Sequence, residues 1–394
     1  MKILKNPKNL PNICFIVTLM AILLLGLIRT VFFPKDVNVY ENRYSEKVLT
    51  PTISNIANKT FQNSLDEALA DQIPTAQRLK KSYNDINSKF LNKLSKPFIA
   101  VAADDNRYIS YKGLLLFDKD SLMFYPNEFS ERKPRLDAKV SNYNALFTQY
   151  PQLDFYAYFI EKDTDINFQT NKKVGSGDYL LSCLQIPESN KGMFAINDYA
   201  TFRQYFYKTD HHWNHKGAYK AYTEILTILN PHETPLSHTS EKVISKTFRG
   251  SKSAMIGDTV IKEDFGAYTY NFPSLKITIN GTLAPDYGTQ DSPASSSVSY
   301  ASFYGPDAGE LVFDSGRTEL KNILIVGESY DNAILKLLAS HYNRTHSIDL
   351  RNYRSQMGEA FDFDAYIQIH EIDQVLFIGN VDFWVMNEFL LETN

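Results

Sequence analysis

Two cysteines in 394 residues leave little for a disulfide framework to be built from. Cys14 lies within an apolar run near the N-terminus, so Cys183 stands alone in the rest of the chain. No intrachain disulfide is expected there, and the core must hold without covalent staples. A basic surplus is missing as well. Lys and Arg number 41 against 45 Asp and Glu, a net charge of -4, which gives no electrostatic footprint for nucleic acid. No His-Glu-x-x-His signature occurs, and no stretch repeats at a fixed period. The Gly-x-Ser-x-Gly elbow is absent too, because Asp331 stands where its second glycine would be. No motif calls for a cofactor.

What is present fits a folded protein: 43% hydrophobic and 22% charged residues, enough for one large core or two modest ones. Aromatics reach 13%, with 25 Tyr and 26 Phe. Such rings fill cores, although they also stack on sugars.

Residues 13–33 are apolar except for Thr18, Gly26, Arg29 and Thr30. That run matches the roughly 20 residues a bilayer-crossing helix needs. Lys2, Lys5 and Lys8 precede it and predict a cytoplasmic N-terminus with the remainder outside. A signal peptide would show small residues at a cleavage site. The segment around Arg29-Thr30-Val31 lacks them, so an uncleaved single-pass anchor is expected.

The domain plan is then a tail at 1–12, an anchor at 13–33, a helical stem at 34–105 and a main domain at 106–394. In the stem, Leu65, Ala68 and Leu69 precede Pro74, and Leu79, Tyr83, Ile86, Phe90 and Leu94 follow it at steps of three and four. That is the spacing of a buried helix face, expected to pack against the main domain. Beyond residue 106, short apolar runs at 114–117, 155–160, 323–326, 347–350 and 375–378 read as strands. Near-continuous apolar strands separated by helical spacing predict a mainly parallel sheet covered on both faces. Residues 239–320 read as a β-rich insertion, with strands at 274–279 and 297–304 and a surface loop at 285–297.

The densest chemistry lies in Asp210-His211-His212-Trp213-Asn214-His215. Asn214 predicts an N-cap for a helix over 215–229, with Ala218, Tyr222, Ile225, Leu226 and Leu229 on its buried face. Asp210 and His212 then sit on a loop just ahead of a helix, close enough for the carboxylate to orient the imidazole. Ser329, in Gly327-Glu328-Ser329-Tyr330, falls at the end of a predicted strand, where an open α/β sheet binds its ligands. A serine hydroxyl needs a base, and that base needs an acid to hold its tautomer. The competing readings are a plain helix cap for Ser329 and a metal site for Asp210, His211, His212 and His215. Ligands crowded into adjacent positions make awkward geometry, and no metal is expected.

Asp210-His211-His212-Trp213, followed by Gly217-Ala218-Tyr219, resembles the signature of the DHHW family of bacterial surface proteins. That family is similar to the SGNH-hydrolase-like alginate O-acetyltransferases, whose motif is Asp-x-His-Trp. Glu41-Asn42-Arg43, the 71–78 run and Gly327-Glu328-Ser329 resemble family stretches in the same order. The resemblance covers the chain from about residue 39 onward. It implies a three-layer SGNH-hydrolase-like α/β sandwich, with Ser329 as nucleophile, His212 as general base and Asp210 as the orienting acid. Asn380, in Gly379-Asn380 after a strand, resembles the block supplying an oxyanion-hole side chain. Tyr330 and Trp213 are candidates for substrate contact. The implied activity is acetyl transfer to a cell-surface or secreted polysaccharide, or hydrolysis of its acetyl ester, through an acyl-serine. Since acetyl-CoA is not found outside the cytoplasm, a membrane partner that delivers acetyl groups is implied as well. A polysaccharide-binding or assembly protein on the same fold is the alternative, and the contacts of Ser329 discriminate between the two.

Overall fold

The computed structural model describes residues 10–34, 37–38, 43–44, 47–72, 82–83, 86, 107–258, 260–285, 287–288 and 298–385. The chain divides into two compact units, Met1–Val101 and Ala102–Asn394.

The N-terminal unit holds α1 (Leu10–Phe32), α2 (Ile53–Ala57) and α3 (Thr60–Gln72). Within α1, Cys14–Phe32 is long and apolar enough to cross a membrane, with a mean hydropathy of 2.4. α3 contains the expected Leu65, Ala68 and Leu69, and Ala68 is fully buried. The helix expected over 79–94 lies outside the described residues except at 82–83 and 86. There Tyr83 and Ile86 are exposed, which corrects their assignment to a buried face.

The C-terminal unit is built on a mixed eight-stranded sheet. A separate three-stranded antiparallel sheet comes first, made of β1 (Tyr108–Tyr111), β2 (Leu114–Phe117) and β3 (Ser121–Met123). The run at 114–117 is therefore a strand, but not one of the parallel set. Tight turns with positive φ at Lys112, Gly113, Asp118 and Lys119 fold it back on both neighbours.

The main sheet comprises β4 (Asp154–Ile160), β5 (Lys191–Phe194), β8 (Lys276–Ile279), β9 (Thr282–Leu283), β10 (Glu310–Asp314), β11 (Asn322–Val326), β12 (Arg344–Ile348) and β13 (Gln374–Gly379). Between them in sequence, β6 (Ser240–Phe248) and β7 (Glu263–Thr269) form an antiparallel pair of their own. The order across the main sheet is β9-β8-β10-β12-β11-β13-β4-β5. The five strands from β12 to β5 are parallel, while β8, β9 and β10 add on antiparallel at one edge. Three strands of the region read as an insertion thus extend the main sheet, while its first two form the separate pair.

Alternation along the parallel strands feeds two cores. Tyr156, Tyr158 and Ile160 of β4, with Ile323 and Ile325 of β11, face α7 (His215–Leu229) through Ala218, Tyr222, Ile225, Leu226 and Leu229. Phe155, Ala157 and Phe159, with Leu324 and Val326, face the opposite layer of α4 (Phe129–Gln149) and later helices. Strands buried on both faces explain why their sequences lack a polar alternation.

Two boundaries differ from expectation. Residues 297–304 do not form a strand: Ser299 caps α9 (Tyr300–Tyr304), its hydroxyl and that of Ser302 bonding each other's backbone N–H. The run at 347–350 spans the end of β12 and the start of α11 (Leu350–Met357), because the Asp349 side chain accepts from the Arg351 N–H and caps that helix. Of the loop expected over 285–297, only 285, 287 and 288 are described.

Candidate active site

The Asp210–His212 loop joins α6 (Tyr199–Tyr205) to α7. It is closed at its base by a bridge between Phe206 and Trp213 and by the Tyr207 N–H donating to the His212 carbonyl at 3.2 Å. Asn214 caps α7 as expected, its side chain accepting from the N–H groups of Lys216 and Gly217. Glu263, at the start of β7, holds the loop from below. It accepts from the backbone N–H of Lys208 and from both the N–H and hydroxyl of Thr209, at 2.6–2.9 Å.

Asp210 is buried and its oxygens are divided between two tasks. Oδ1 accepts from the His212 backbone N–H at 3.0 Å and lies 2.6 Å from His212 Nδ1. Oδ2 accepts from the Ser251 N–H at 2.7 Å. Burial opposes its charge, yet the His212 imidazole and its hydrogen bonds outweigh burial and hold the carboxyl well below the usual carboxylate range. An ionised Asp210 can only accept, so Nδ1 of His212 carries the proton and Nε2 offers its lone pair. The Ser329 hydroxyl lies 2.8 Å from Nε2, across 117 residues of sequence.

Ser329 follows β11 on a turn, and it is not a cap. The short 3-10 turn Asp331–Ala333 begins from Tyr330 with no side-chain cap, and α10 (Leu335–Ala339) comes only after it. The α-helix that a cap at Ser329 would have begun starts only at Leu335. Gly327 lies against neighbouring side chains: a Cβ there would stand 2.3 Å from Asp331 Oδ2 and 2.9 Å from Ile378 Cγ2. The hydroxyl is thus directed to the imidazole rather than spent on the backbone.

The remaining candidates are placed differently. Trp213 is fully buried and its indole N–H donates to the Tyr300 hydroxyl at 3.1 Å. Tyr330 is fully buried, its hydroxyl donates to the His211 carbonyl, and its ring packs on His212 and Trp213. Both are struts of the loop, which corrects their candidacy for substrate contact. Asn380 follows β13, the parallel neighbour of β11. The register pairs Val326 with Phe377, so Ser329 and Asn380 leave adjacent strand ends. The Asn380 amide donates to Glu328 Oε1 and its carbonyl oxygen accepts from the Asp382 N–H. Among the described residues its hydrogen bonds do not reach Ser329.

Besides Glu263, three participants escaped the sequence reading. Tyr300 stacks flat on the His212 ring, with centroids 3.9 Å apart and planes 4° from parallel. Gly250 and Ser251 close over Asp210; a Cβ on Gly250 would stand 2.2 Å from the Asp210 Cβ. Ser251 also bonds His211, Oγ to Nδ1 at 2.6 Å. For Tyr300 a local signal existed, the paired serines that cap α9. For Gly250 and Ser251 none did, since their partner is about forty residues away. Asp210, His211 and His212 offer ligand atoms within 4.8 Å of one another. Both His212 nitrogens and Nδ1 of His211 are already hydrogen-bonded, so the group is organised for proton transfer more than for an ion.

No protein-family model matches the chain, and no curated protein matches it. Solved structures do share its fold. PatB1 of Bacillus cereus, in a structure with a sulfonyl adduct, overlays at a TM-score of 0.54 and 20% identity, covering 71% of this chain and 97% of that one. A DHHW family protein from Eubacterium siraeum overlays at 0.53 and 15% identity, covering 72% and 96%. The O-acetyltransferase domain of Pseudomonas putida AlgJ is matched at 0.38 and 12% identity, covering 70% and 90%, an overlay too loose to build on.

Proposed function

On this fold, we propose that the chain is a serine-dependent acyltransferase of SGNH-hydrolase-like type, which moves acetyl groups on a cell-surface or secreted polysaccharide. The observation that carries the reading is the unbroken run Asp210–His212–Ser329, at 2.6 and 2.8 Å. A hydroxyl bonded to an oriented imidazole is the arrangement nucleophilic catalysis requires. The same observation counts against a purely glycan-binding module, in which Ser329 would cap its helix.

In the proposed reaction the Ser329 Oγ–H gives its proton to His212 Nε2 as Oγ attacks the ester carbonyl carbon. Asp210 stabilises the imidazolium that forms. Backbone N–H groups of the turn at Ser329 face the developing oxyanion, with the Asn380 amide as a side-chain candidate. The tetrahedral species collapses, the bond to the leaving alcohol breaks, and Nε2 returns the proton to that oxygen. The acyl-serine is then attacked by a sugar hydroxyl, with His212 again as base, which regenerates Ser329. Water in place of the sugar gives an esterase. The α1 helix serves as a single-pass anchor, with Lys2, Lys5 and Lys8 on the cytoplasmic side and the catalytic unit outside. A membrane protein that passes acetyl groups outward is the donor partner this location requires.

The test is mass spectrometry of the full chain in detergent after incubation with an activated acetyl ester. One acetyl on Ser329, lost in Ser329→Ala and in His212→Ala, is expected. A sulfonyl fluoride is a second probe, since a neighbour of the same fold carries a sulfonyl adduct. A folded chain that takes up neither reagent at Ser329 refutes the reading.

A further inference from the structure

A second cluster of chemistry-bearing side chains lies on the other face of the main sheet. Glu310 opens β10 opposite Ile348 of β12, and His346 stands on β12 opposite Val312. Residues directly opposite in an antiparallel pair share a face, and so do residues two apart on one strand. Glu310 and His346 therefore point to the side of Ile348, which belongs to the core under α12 (Phe363–Ile369). The active-site loop packs on the opposite core. His370, at the C-terminal end of α12, completes the set, with its ring 4.6 Å from that of His346. The three residues offer ligand atoms within 4.8 Å of one another.

Hydrogen bonding fixes which nitrogen of His346 is free. The Tyr366 hydroxyl donates to Glu310 Oε1 at 2.7 Å, and the Tyr366 hydroxyl oxygen lies 2.8 Å from His346 Nδ1. A phenol has one proton, and here the carboxylate receives it. Nδ1 must then be the donor to Tyr366, which leaves Nε2 as a bare lone pair. His346 is 1% exposed, and among the described residues its Nε2 has no hydrogen-bond partner. An unpaired buried polar atom costs about 1–3 kcal/mol, so its retention asks for a partner. A histidine that ligates a metal through one nitrogen characteristically donates its other N–H to a fixed oxygen, which is the role Tyr366 occupies here.

From this arrangement we propose that Glu310, His346 and His370 bind one divalent transition-metal ion of the zinc class, with water in the fourth position. Two imidazoles among three protein ligands select Zn2+, Co2+ or Ni2+ over Mg2+ and Ca2+. Ligands on a tetrahedral zinc lie about 3.3 Å apart, given bonds of about 2.0–2.1 Å, so the ion draws the set inward. His370, partly buried at a helix end, is the member with most room to close that gap. The bound ion ties the end of α12 to the strands where the sheet changes from parallel to antiparallel. Tyr366 is a positioning residue for the site, acting through His346.

The test uses the full chain in detergent, treated with chelator and titrated with Co2+, whose visible absorption reports coordination without any activity assay. One Co2+ per chain, displaced by Zn2+, is expected. His370→Ala, at the least buried of the three positions, is expected to abolish the band with little change in Tm. Tyr366→Phe is expected to weaken binding by about 10–100-fold, the usual effect of removing such a support. His211→Ala should leave the band intact. No band in the parent chain overturns the proposal. A band that survives His370→Ala does so too, as does one lost in His211→Ala, which would put the ion at the Asp210 group.

Discussion

Gly250→Ala is the substitution that most sharply probes how Asp210 is held. Gly250 has an ordinary extended backbone, with φ -83 and ψ -167, so alanine meets no conformational penalty there. The obstacle is space: the new Cβ would stand 2.2 Å from the Asp210 Cβ and 2.3 Å from Oδ2. Nonbonded carbons settle at about 3.5–4.0 Å, so Asp210 or the Gly250 backbone must yield by more than about 1 Å. That movement carries the 2.6 Å contact between Oδ1 and His212 Nδ1 beyond hydrogen-bond range. Loss of the orienting acid in a serine triad lowers turnover by about 10⁴, so a drop of about 10³–10⁴ is expected in the acylation rate of Ser329. In barrier terms this is about 4–5.5 kcal/mol. The assay is the rate of acetyl-adduct formation by mass spectrometry, with Tm as the control for folding. The same substitution in an Asp210→Asn background separates mechanism from general damage. If Gly250 acts through Asp210, it adds almost nothing there. A Gly250→Ala chain that acylates within about threefold of the parent, or one whose loss is equally large beside Asp210→Asn, refutes the reasoning.

Two further outcomes are expected. Burial pushes the Asp165 carboxyl from an unperturbed 3.8 up to about 7, so the folded chain binds the extra proton inside that window and stability falls as pH rises through it, by at most about 4 kcal/mol. Asp165→Asn should flatten that slope in denaturant titrations from about pH 4 to 8, and an unchanged slope would show that Asp165 titrates normally. Asn214→Ala removes two acceptor contacts at the start of α7 and should cost about 1 kcal/mol in the same titrations; a value near zero would mean that the loop bridge alone fixes the helix start.

The parts of the fold legible in sequence are those whose determinants are local. Asn214 and the three-four spacing of Ala218, Tyr222, Ile225 and Leu229 defined α7 to the residue. The doubly buried strands at 155–160, 323–326 and 375–378 announced themselves by apolar continuity. Where that rule failed, a turn or a cap overrode it. The Leu114–Phe117 run obeys its flanking positive-φ turns, and Asp349 stops β12 by capping α11. Ser299 and Ser302 convert an aromatic stretch into a helical turn, bringing Tyr300 onto His212. For the site, the chemical types of Asp210, His212 and Ser329 were readable, while the supports were not. Glu263, Gly250 and Ser251 reach the loop only through tertiary folding, and no period in the sequence encodes such an encounter.

The position of β13 has a consequence for how the molecule is completed. Among the described residues this strand is the last in sequence; it lies between β11 and β4, and β4 is flanked on its other side by β5. Until residues 374–379 arrive, the earliest parallel strands present an unpaired edge and have no ladder to the half that carries Ser329. Pairing across so long a separation is slow, because the chain loses entropy before any contact repays it. The Asp210 loop and the Ser329 turn therefore belong to halves joined through β13. The contacts among Asp210, His212 and Ser329 would then form only once β13 has entered the sheet, and not by degrees along the way.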